Sequence, residues 1–431
     1  MTISVRALIF CTASFLNSGP NEATWSTVAS AGVGHIGRCE HSLSEACNLK
    51  SVQADGGNSS AIRFPENQSS AHVPFELLAN CPYIKVKVNG KGPFLFVIDT
   101  GSIDTVFASE TISELGIRSA DSSDKPGNVE FAFAGGLQVK TESVDTLSLS
   151  GLWPLIGRRT YGIIGYDVLK QFVVEFDYEN KTVTFYDPKN YKYAGSGAMF
   201  DAKMEMGYDP QVPGELEVLG VGAIQAPFTI DTGAGGTVVT TPLVQKNRLM
   251  EKVIQKVPSP GQGVNGMQFN AVVGRMGSIR LGNFILDQPL VALSLDTDGP
   301  LSSEVLGVNV GGNVLQRFKL IINYPRRKLI LQPNSRLHDP FPADASGLVL
   351  EALGDDFKTI TVRGVVDGSP ADQAGIREGD IIESIDGETT GKYALWQIQD
   401  LFKNSGEVRV LTLLTKDKTL RTVKIKLRAL A

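Results

Sequence analysis

Histidine and cysteine are scarce in this chain, four of each in 431 residues, and that scarcity excludes several kinds of chemistry. The histidines stand at positions 35, 41, 72 and 338, outside every motif the chain repeats, and none accompanies a Gly-x-Ser-x-Gly pattern. A Ser-His hydrolase is therefore disfavoured, and Ser102 is not read as a nucleophile. Cys11, Cys39, Cys47 and Cys81 are too few for a disulfide framework. His35, Cys39, His41 and Cys47 lie close together, but their spacing fits no zinc pattern and their surroundings are rich in Ser, Asn and Gly. No metal and no cofactor are expected.

Basic clusters are also missing, and with a formal net charge of −5 the chain has little attraction for polyanions. Nucleic acid is not an expected partner. No later segment is apolar enough for a membrane helix. The run "ALIFCTASFL" at 7–16, just after Arg6, is too short to span a bilayer, yet it suits the apolar part of an export signal, with Ala29-Ser30-Ala31 as a cleavage pattern. We expect a signal in residues 1–31, hence a periplasmic or extracellular location, and a polar linker or pro-segment over 32–71. The alternative is a cytosolic protein with an apolar N-terminus.

What remains is a soluble globular composition, 42% hydrophobic and 20% charged, in a chain long enough for about three domains. Its most telling stretch is "FVIDTGSIDTVF", residues 96–107, where Asp99 follows an apolar run and leads into Thr100-Gly101. Aspartate is depleted in strands and rarely buried. A single such acid reads as a turn residue. The frame recurs, however, in "FTIDTGAGGTVV" from Phe228, with Asp231, Thr232 and Gly233 each 132 positions on. Downstream, "GYDVLKQF" from Gly165 resembles "GGNVLQRF" from Gly311, 146 positions on, so the second unit carries extra loop residues. A turn needs no such doubling; a duplicated structural unit does.

Two carboxylates brought together in a site with restricted water share one proton across a range of pH. The ionised member can accept a proton from water while the protonated one donates to a carbonyl oxygen. The glycines permit close backbone approach, and the Thr100 and Thr232 hydroxyls can lock the two loops together. Paired "DTGS" and "DTGA", each after an apolar strand and each followed by an apolar-apolar-Gly element ("GIIG" at 162–165, "VLGVNVGG" at 305–312), resemble the two-lobed aspartic peptidases with compact retropepsin-like lobes. The resemblance implies a mainly β fold: two homologous β-barrel lobes, 72–195 and 196–335, sharing a cleft, with Asp99 and Asp231 as the catalytic pair and Thr100, Gly101, Thr232 and Gly233 supporting their loops. It also implies hairpin flaps. "VEFAFAGGLQV" at 129–139, turning at Gly135-Gly136, is the candidate in the first lobe, and the stretch from Ser259 is the candidate in the second.

Beyond a polar, proline-bearing linker, "GSPADQAGIREGDIIESIDG" resembles a bacterial-type PDZ domain, placed at 343–431 as a small α+β unit. That family holds a peptide's C-terminal carboxylate on backbone amides; "SGLVL" supplies Gly347, Leu348 and Val349 as candidates. The resulting expectation is a monomeric aspartic endopeptidase that acts on polypeptides and binds C-terminal peptides at its PDZ domain. The competing reading is an idle peptide-binding protein that uses the same two surfaces; hydrolysis of a non-peptide amide by the same dyad is a third.

Overall fold

Short apolar runs broken by Asn-Gly and other glycine turns fold as strands wherever a neighbouring strand covers their apolar face. The computed structural model describes residues 62–117, 127–205, 207–259 and 261–430. The expected signal at 1–31, the Cys/His stretch at 35–47 and most of the segment 32–71 lie outside these residues. The fold is mainly β.

In the first lobe, β1 (Ser70–Leu78), β2 (Cys81–Val88) and β3 (Lys91–Ile98) form an antiparallel meander. Asn89 and Gly90 turn β2 into β3 with φ of +48° and +78°, which explains the Asn-Gly pair there. After β4 (Val106–Ala108) come a hairpin of β5 (Gly127–Phe133) and β6 (Gln138–Ser143), then β7 (Asp145–Leu147), a one-turn helix α1 (Trp153–Ile156), β8 (Gly162–Ile164), β9 (Val173–Asp177) and β10 (Thr182–Tyr186). β8 lies between β3 and β4, parallel to the first and antiparallel to the second.

The second lobe repeats this arrangement with β11 (Asp209–Val218), β12 (Gly222–Ile230), β13 (Thr237–Val239), β14 (Leu290–Ser294) and β15 (Val308–Val310). β15 is parallel to β12 and antiparallel to β13, and β13 runs parallel to β14 as β4 does to β7. In both lobes the inserted strand pairs with the three residues that precede the aspartate, which keeps that strand end buried on both sides.

The lobes are joined by a sheet. β16 (Phe318–Asn323) and β17 (Lys328–Pro333) close the second lobe, and β9 pairs with β16 from Val173↔Asn323 to Asp177↔Lys319, with Lys319 Nζ 2.8 Å from Asp177 Oδ2. Within the first lobe, the rings of Phe96, Phe107 and Phe131 meet at centroid distances of 5.8, 6.0 and 5.9 Å, packing β3, β4 and β5 on one another. Each such pair adds roughly 1 kcal/mol beyond the area it buries.

The first lobe begins earlier than position 72. Ile62 and Arg63 pair with Val139 and Gln138 of β6, and Phe64 meets Phe172 edge-on at 6.0 Å. Two isolated apolar residues in a polar stretch carry no strand pattern of their own; the partner strand makes them one.

The C-terminal unit has β18 (Leu348–Leu353) at the edge of a sheet, next to β19 (Thr359–Val365), followed by strands at 381–385, 408–414 and 420–426. Helix α2 (Leu395–Leu401) packs Leu395 and Ile398 onto Leu348, Leu350 and Ala352 of β18. Among the described residues no helix is long and apolar enough to cross a membrane.

The linker before this unit is strapped down by Arg317. Its guanidinium donates to the carbonyls of Arg336 (2.9 Å) and Pro340 (3.0 Å) and lies 3.7 Å over the Phe341 ring. Charge-assisted bonds of this kind are worth on the order of 2 kcal/mol together with the ring contact. Arg317→Ala is expected to accelerate limited proteolysis between residues 334 and 346 at least tenfold, read by mass spectrometry of the fragments; unchanged cleavage would mean that the linker is held elsewhere.

Candidate active site

Asp99 and Asp231 occupy equivalent places at the ends of β3 and β12. The Asp99 N–H donates to Ile164 O and the Asp231 N–H to Val310 O, each at 3.0 Å, so the inserted strand fixes each backbone before its side chain emerges. The loops then cross between lobes. Thr100 Oγ1 donates to Ile230 O at 2.6 Å and Thr232 Oγ1 to Ile98 O at 2.7 Å. Each hydroxyl also accepts from the opposite threonine's N–H, at 3.0 and 3.2 Å. All four groups are buried, so losing any one strands a polar partner in the interior.

The glycines serve the other lobe as well as their own. Gly101 N–H donates to Asp99 Oδ1 at 2.8 Å and Gly233 N–H to Asp231 Oδ1 at 2.9 Å. A Cβ on Gly101 would stand 2.8 Å from Asp231 Cγ, and one on Gly233 would stand 2.2 Å from Asp99 Cγ. Any side chain at either position would therefore collide with the carboxylate of the opposite lobe.

The two carboxylates are buried, 0% and 1% exposed, and within hydrogen-bonding reach of each other. Burial, then the charge of Asp231, holds Asp99 well above the usual carboxylate range. Burial raises Asp231 too, opposed by hydrogen bonds from Asn309, Asp99, Gly233 and Ala234. Among the described residues no N–H or hydroxyl serves Asp99 Oδ2, and its neighbour carboxylate lies within reach, so the buried pair is stabilised by sharing one proton. Such a pair, with one base and one acid side by side, can activate water and polarise a carbonyl in the same step.

Several residues of the site escaped the sequence reading. Thr105 Oγ1 donates to Asp167 Oδ1 at 2.7 Å and accepts from Gly165 N–H at 3.1 Å; in the second lobe Thr237 Oγ1 donates to Asn313 Oδ1 at 2.8 Å and accepts from Gly311 N–H at 3.2 Å. These bonds tie the aspartate loop to the downstream glycine element, which is why the two motifs recur together. The signal lay in the repeats themselves, Thr105 matching Thr237 and Asp167 matching Asn313. Asn309, whose Nδ2 donates to Asp231 Oδ2 at 2.8 Å, is where "VNVG" carries a polar side chain and "GIIG" an aliphatic one. Ser102 turns away, donating to Asp104 O at 2.9 Å.

The first-lobe flap expectation is corrected. The Gly135-Gly136 turn docks on its own lobe: a Cβ on Gly135 would stand 2.7 Å from His72 O, and one on Gly136 3.1 Å from Pro65. The end of the hairpin that adjoins the aspartate loop is the opposite one, where Gly127 faces Ser143 and Asp145 N–H donates to Thr105 O at 3.1 Å. β5 pairs with β2 as well as β6, and that long-range pairing seats the hairpin on its own lobe, where Phe133 meets Phe185 at 5.3 Å while Ala134, Gly135 and Gly136 of the turn stay exposed.

In the second lobe, by contrast, the hairpin after Ser259 crosses to the first. Asn265 N–H donates to Ser148 O at 2.9 Å, Asn265 Oδ1 accepts from Ser148 N–H at 2.8 Å, and Gln262 Nε2 donates to Gly151 O at 3.1 Å. Val264 is buried among Leu149, Leu152, Leu155 and Ile156 of the first lobe.

At the C-terminal unit, Gly347 has φ +79° and leads into β18 as the carboxylate-binding reading requires. Its amide is already engaged, donating to Asp344 Oδ1 at 2.6 Å, and Leu348 N–H donates to Ser346 Oγ at 3.0 Å. Val349 is buried at a register shift in β18. This unit also touches both lobes: a Cβ on Gly157, just after α1, would stand 2.9 Å from Leu395 Cβ, and Arg363 Nη2 donates to Gln262 Oε1 at 3.0 Å.

The family model described as "Aspartyl protease" matches residues 84–168 and 215–310, segments that contain Asp99 and Asp231, and the one described as "PDZ domain" matches residues 361–415. No curated protein matches the chain. Among solved structures the chain is similar to a "photosystem II D1 C-terminal processing protease", 26% identical over 19% of this chain and 22% of that one, with a TM-score of 0.18. A likeness of that extent carries no argument about fold or activity.

The buried pair has a consequence for stability. A carboxyl whose folded-state pKa is raised contributes fully below its unfolded pKa, and the contribution is lost as pH rises through the folded one. Asp99→Asn cannot ionise, so it should melt a few degrees above the wild type at neutral and alkaline pH, the difference vanishing below about pH 3. Scanning calorimetry across pH checks this; a variant less stable than wild type at every pH would contradict the repulsion.

Proposed function

We propose that this chain, which carries an aspartyl protease domain followed by a PDZ domain, is an aspartic endopeptidase that hydrolyses polypeptides with a water held between Asp99 and Asp231. The observation that carries the reading is the pair of buried carboxylates contributed one by each lobe and locked by the crossed threonines. The ionised carboxylate accepts a proton from water as its oxygen bonds to the scissile carbonyl carbon. The protonated one gives its proton to the carbonyl oxygen, leaving a tetrahedral diol. As the C–N bond breaks, the amine nitrogen gains a proton and a hydroxyl of the diol returns one to the pair, so the dyad ends as it began. No covalent intermediate is required.

The second-lobe hairpin at 261–269, anchored on Ser148 and Gly151, supports this reading because it adds a further tie between the two lobes that each contribute one carboxylate. Incubation with a mixed peptide library should give internal cleavages that a pepstatin-like inhibitor abolishes. Asp99→Asn and Asp231→Asn should each lose on the order of 10³-fold or more in kcat while remaining folded. Near-wild-type turnover by either variant would remove the mechanism, and binding without cleavage by the wild type would favour an idle peptide-binding protein.

To the PDZ domain we assign recognition of a polypeptide C-terminus. An incoming carboxylate would take over amides now satisfied by Asp344 and Ser346, and the peptide would join the edge of β18 where α1 now packs. Tethering there raises the local concentration of substrate at the cleft. Truncation after residue 343 should lower kcat/KM about fivefold or more for a polypeptide with a free C-terminus and leave its amidated counterpart unchanged. Equal loss on both would mean that the domain acts by supporting the hairpin through Arg363 and Gln262, not by recognition.

A further inference from the structure

The two aspartates come from equivalent strands, yet they are not equivalently served. Asp231 receives three hydrogen bonds from groups other than its partner: Gly233 N–H at 2.9 Å and Ala234 N–H at 3.0 Å on Oδ1, and Asn309 Nδ2 at 2.8 Å on Oδ2. Among the described residues Asp99 receives one, from Gly101 N–H at 2.8 Å on Oδ1. The difference at the outer oxygen traces to one position. Ile163 of β8 pairs with Val97, and Asn309 of β15 pairs with Thr229, so the two residues occupy the same place in the repeat. The first lobe has an aliphatic side chain where the second has an amide.

Resting on the aspartic mechanism above, we propose that Asn309 is a positioning residue that holds the shared proton on Asp99, which makes Asp231 the base that activates water and Asp99 the acid that protonates the substrate carbonyl. An amide N–H is a donor without acceptor capacity, so its bond to Asp231 Oδ2 is strongest when that oxygen carries no proton and bears negative charge. Asn309 is itself buried, 1% exposed, and no bulk water competes for the bond. Asp99 Oδ2, with no donor among the described residues aimed at it, is the oxygen that gains most from carrying the proton.

The other ionisable groups that face the pair favour the same assignment or are neutral. Asp209, on β11, adds negative potential at Asp99. Tyr324 lies near Asp99, and Tyr178 near Asp231 and Cys81; burial raises both phenols far above neutrality, so they stay uncharged. Burial pushes both carboxyls upward, and the bond from Asn309 is the largest effect opposing that rise at Asp231.

The test separates this assignment from the activity itself. Asp99→Asn and Asp231→Asn each leave one dyad carboxyl, which can be followed by NMR of [13C]aspartate-labelled protein without any turnover. Asp231 alone should titrate at least one pH unit below Asp99 alone. Adding Asn309→Ile, which copies the first lobe's residue, should move Asp231 up by about one unit, a tenfold change in proton affinity, and leave Asp99 in place. In the intact dyad, Asn309→Ile should shift the acidic limb of kcat/KM upward by a similar amount and cut kcat about tenfold with KM within twofold. Should Asn309→Ile fail to fold, the order of the two single-carboxyl titrations still decides. Asp99 titrating at or below Asp231 overturns the assignment, as does an unmoved Asp231 in folded Asn309→Ile. A wild type without peptidase activity would sink the aspartic reading instead and leave the titration order standing as a measurement.

Discussion

Two carboxylates pressed together in a dry interior repel each other unless a proton is shared, and the rest of the two-lobed structure exists to hold them there anyway. Crossed bonds between Thr100 and Thr232 fasten the loops directly. The β9–β16 pairing fastens the lobes from below, and residues 79–81 of the first lobe reach the second lobe's loop through Asn80 Nδ2 on Gly235 O (3.0 Å) and the Cys81 thiol on Gly233 O (3.2 Å). These contacts are all between lobes. A single lobe would keep its aspartate but lose the proton-sharing neighbour, the opposite threonine and the glycine that makes room for it.

Duplication supplies near-symmetry, and unequal surroundings break it. A dyad whose members were identically served would still hold one acid and one base through its single proton, but either carboxyl could take either role; unequal hydrogen bonding favours one of the two arrangements. Here the break is made by small substitutions within a conserved frame. Ile163 stands where the second lobe has Asn309. Strand registers likewise match Cys81, which donates to a backbone carbonyl, with Asp209, a buried acid whose charge is felt at Asp99. The hairpins diverge as well, since the second lobe sends its own onto the first lobe while the exposed turn at Gly135-Gly136 docks on its own lobe beside His72 and Pro65.

What was legible in the sequence follows from which interactions are local. Asp99, Asp231 and their Thr-Gly neighbours stood out because each sits in a short, self-contained frame that occurs twice, and the Asn-Gly turn declares its own backbone geometry. Thr105 with Asp167, and Thr237 with Asn313, were printed in the same repeats but join segments about 60 and 76 residues apart, so their pairing appears only once the sheet brings them together. The flap failed for the same reason. A glycine turn between two apolar strands looks the same whether it projects over a cleft or docks on its own lobe, and only the pairing of β5 with β2 decides. Ile62 and Arg63 needed β6 before they were a strand at all.

The C-terminal unit shows how far position can alter a familiar module. A PDZ domain on a free tether would need only its own loop and edge strand, but here the tether is pinned by Arg317, β18 and Leu395 lie against the first lobe near Gly157, and Arg363 meets the same Gln262 that spans to Gly151. Gln262 thus has one lobe on its amide nitrogen and the PDZ domain on its amide oxygen. Any peptide that enters at β18 must disturb the packing of α1, which lies immediately beyond the Ser148–Leu152 segment that receives the second-lobe hairpin. The β18 edge, α1, the Ser148–Leu152 segment and the second-lobe hairpin are therefore joined by contiguous contacts of a few residues, which tie the PDZ domain to both lobes in a way that the chain connectivity alone does not provide.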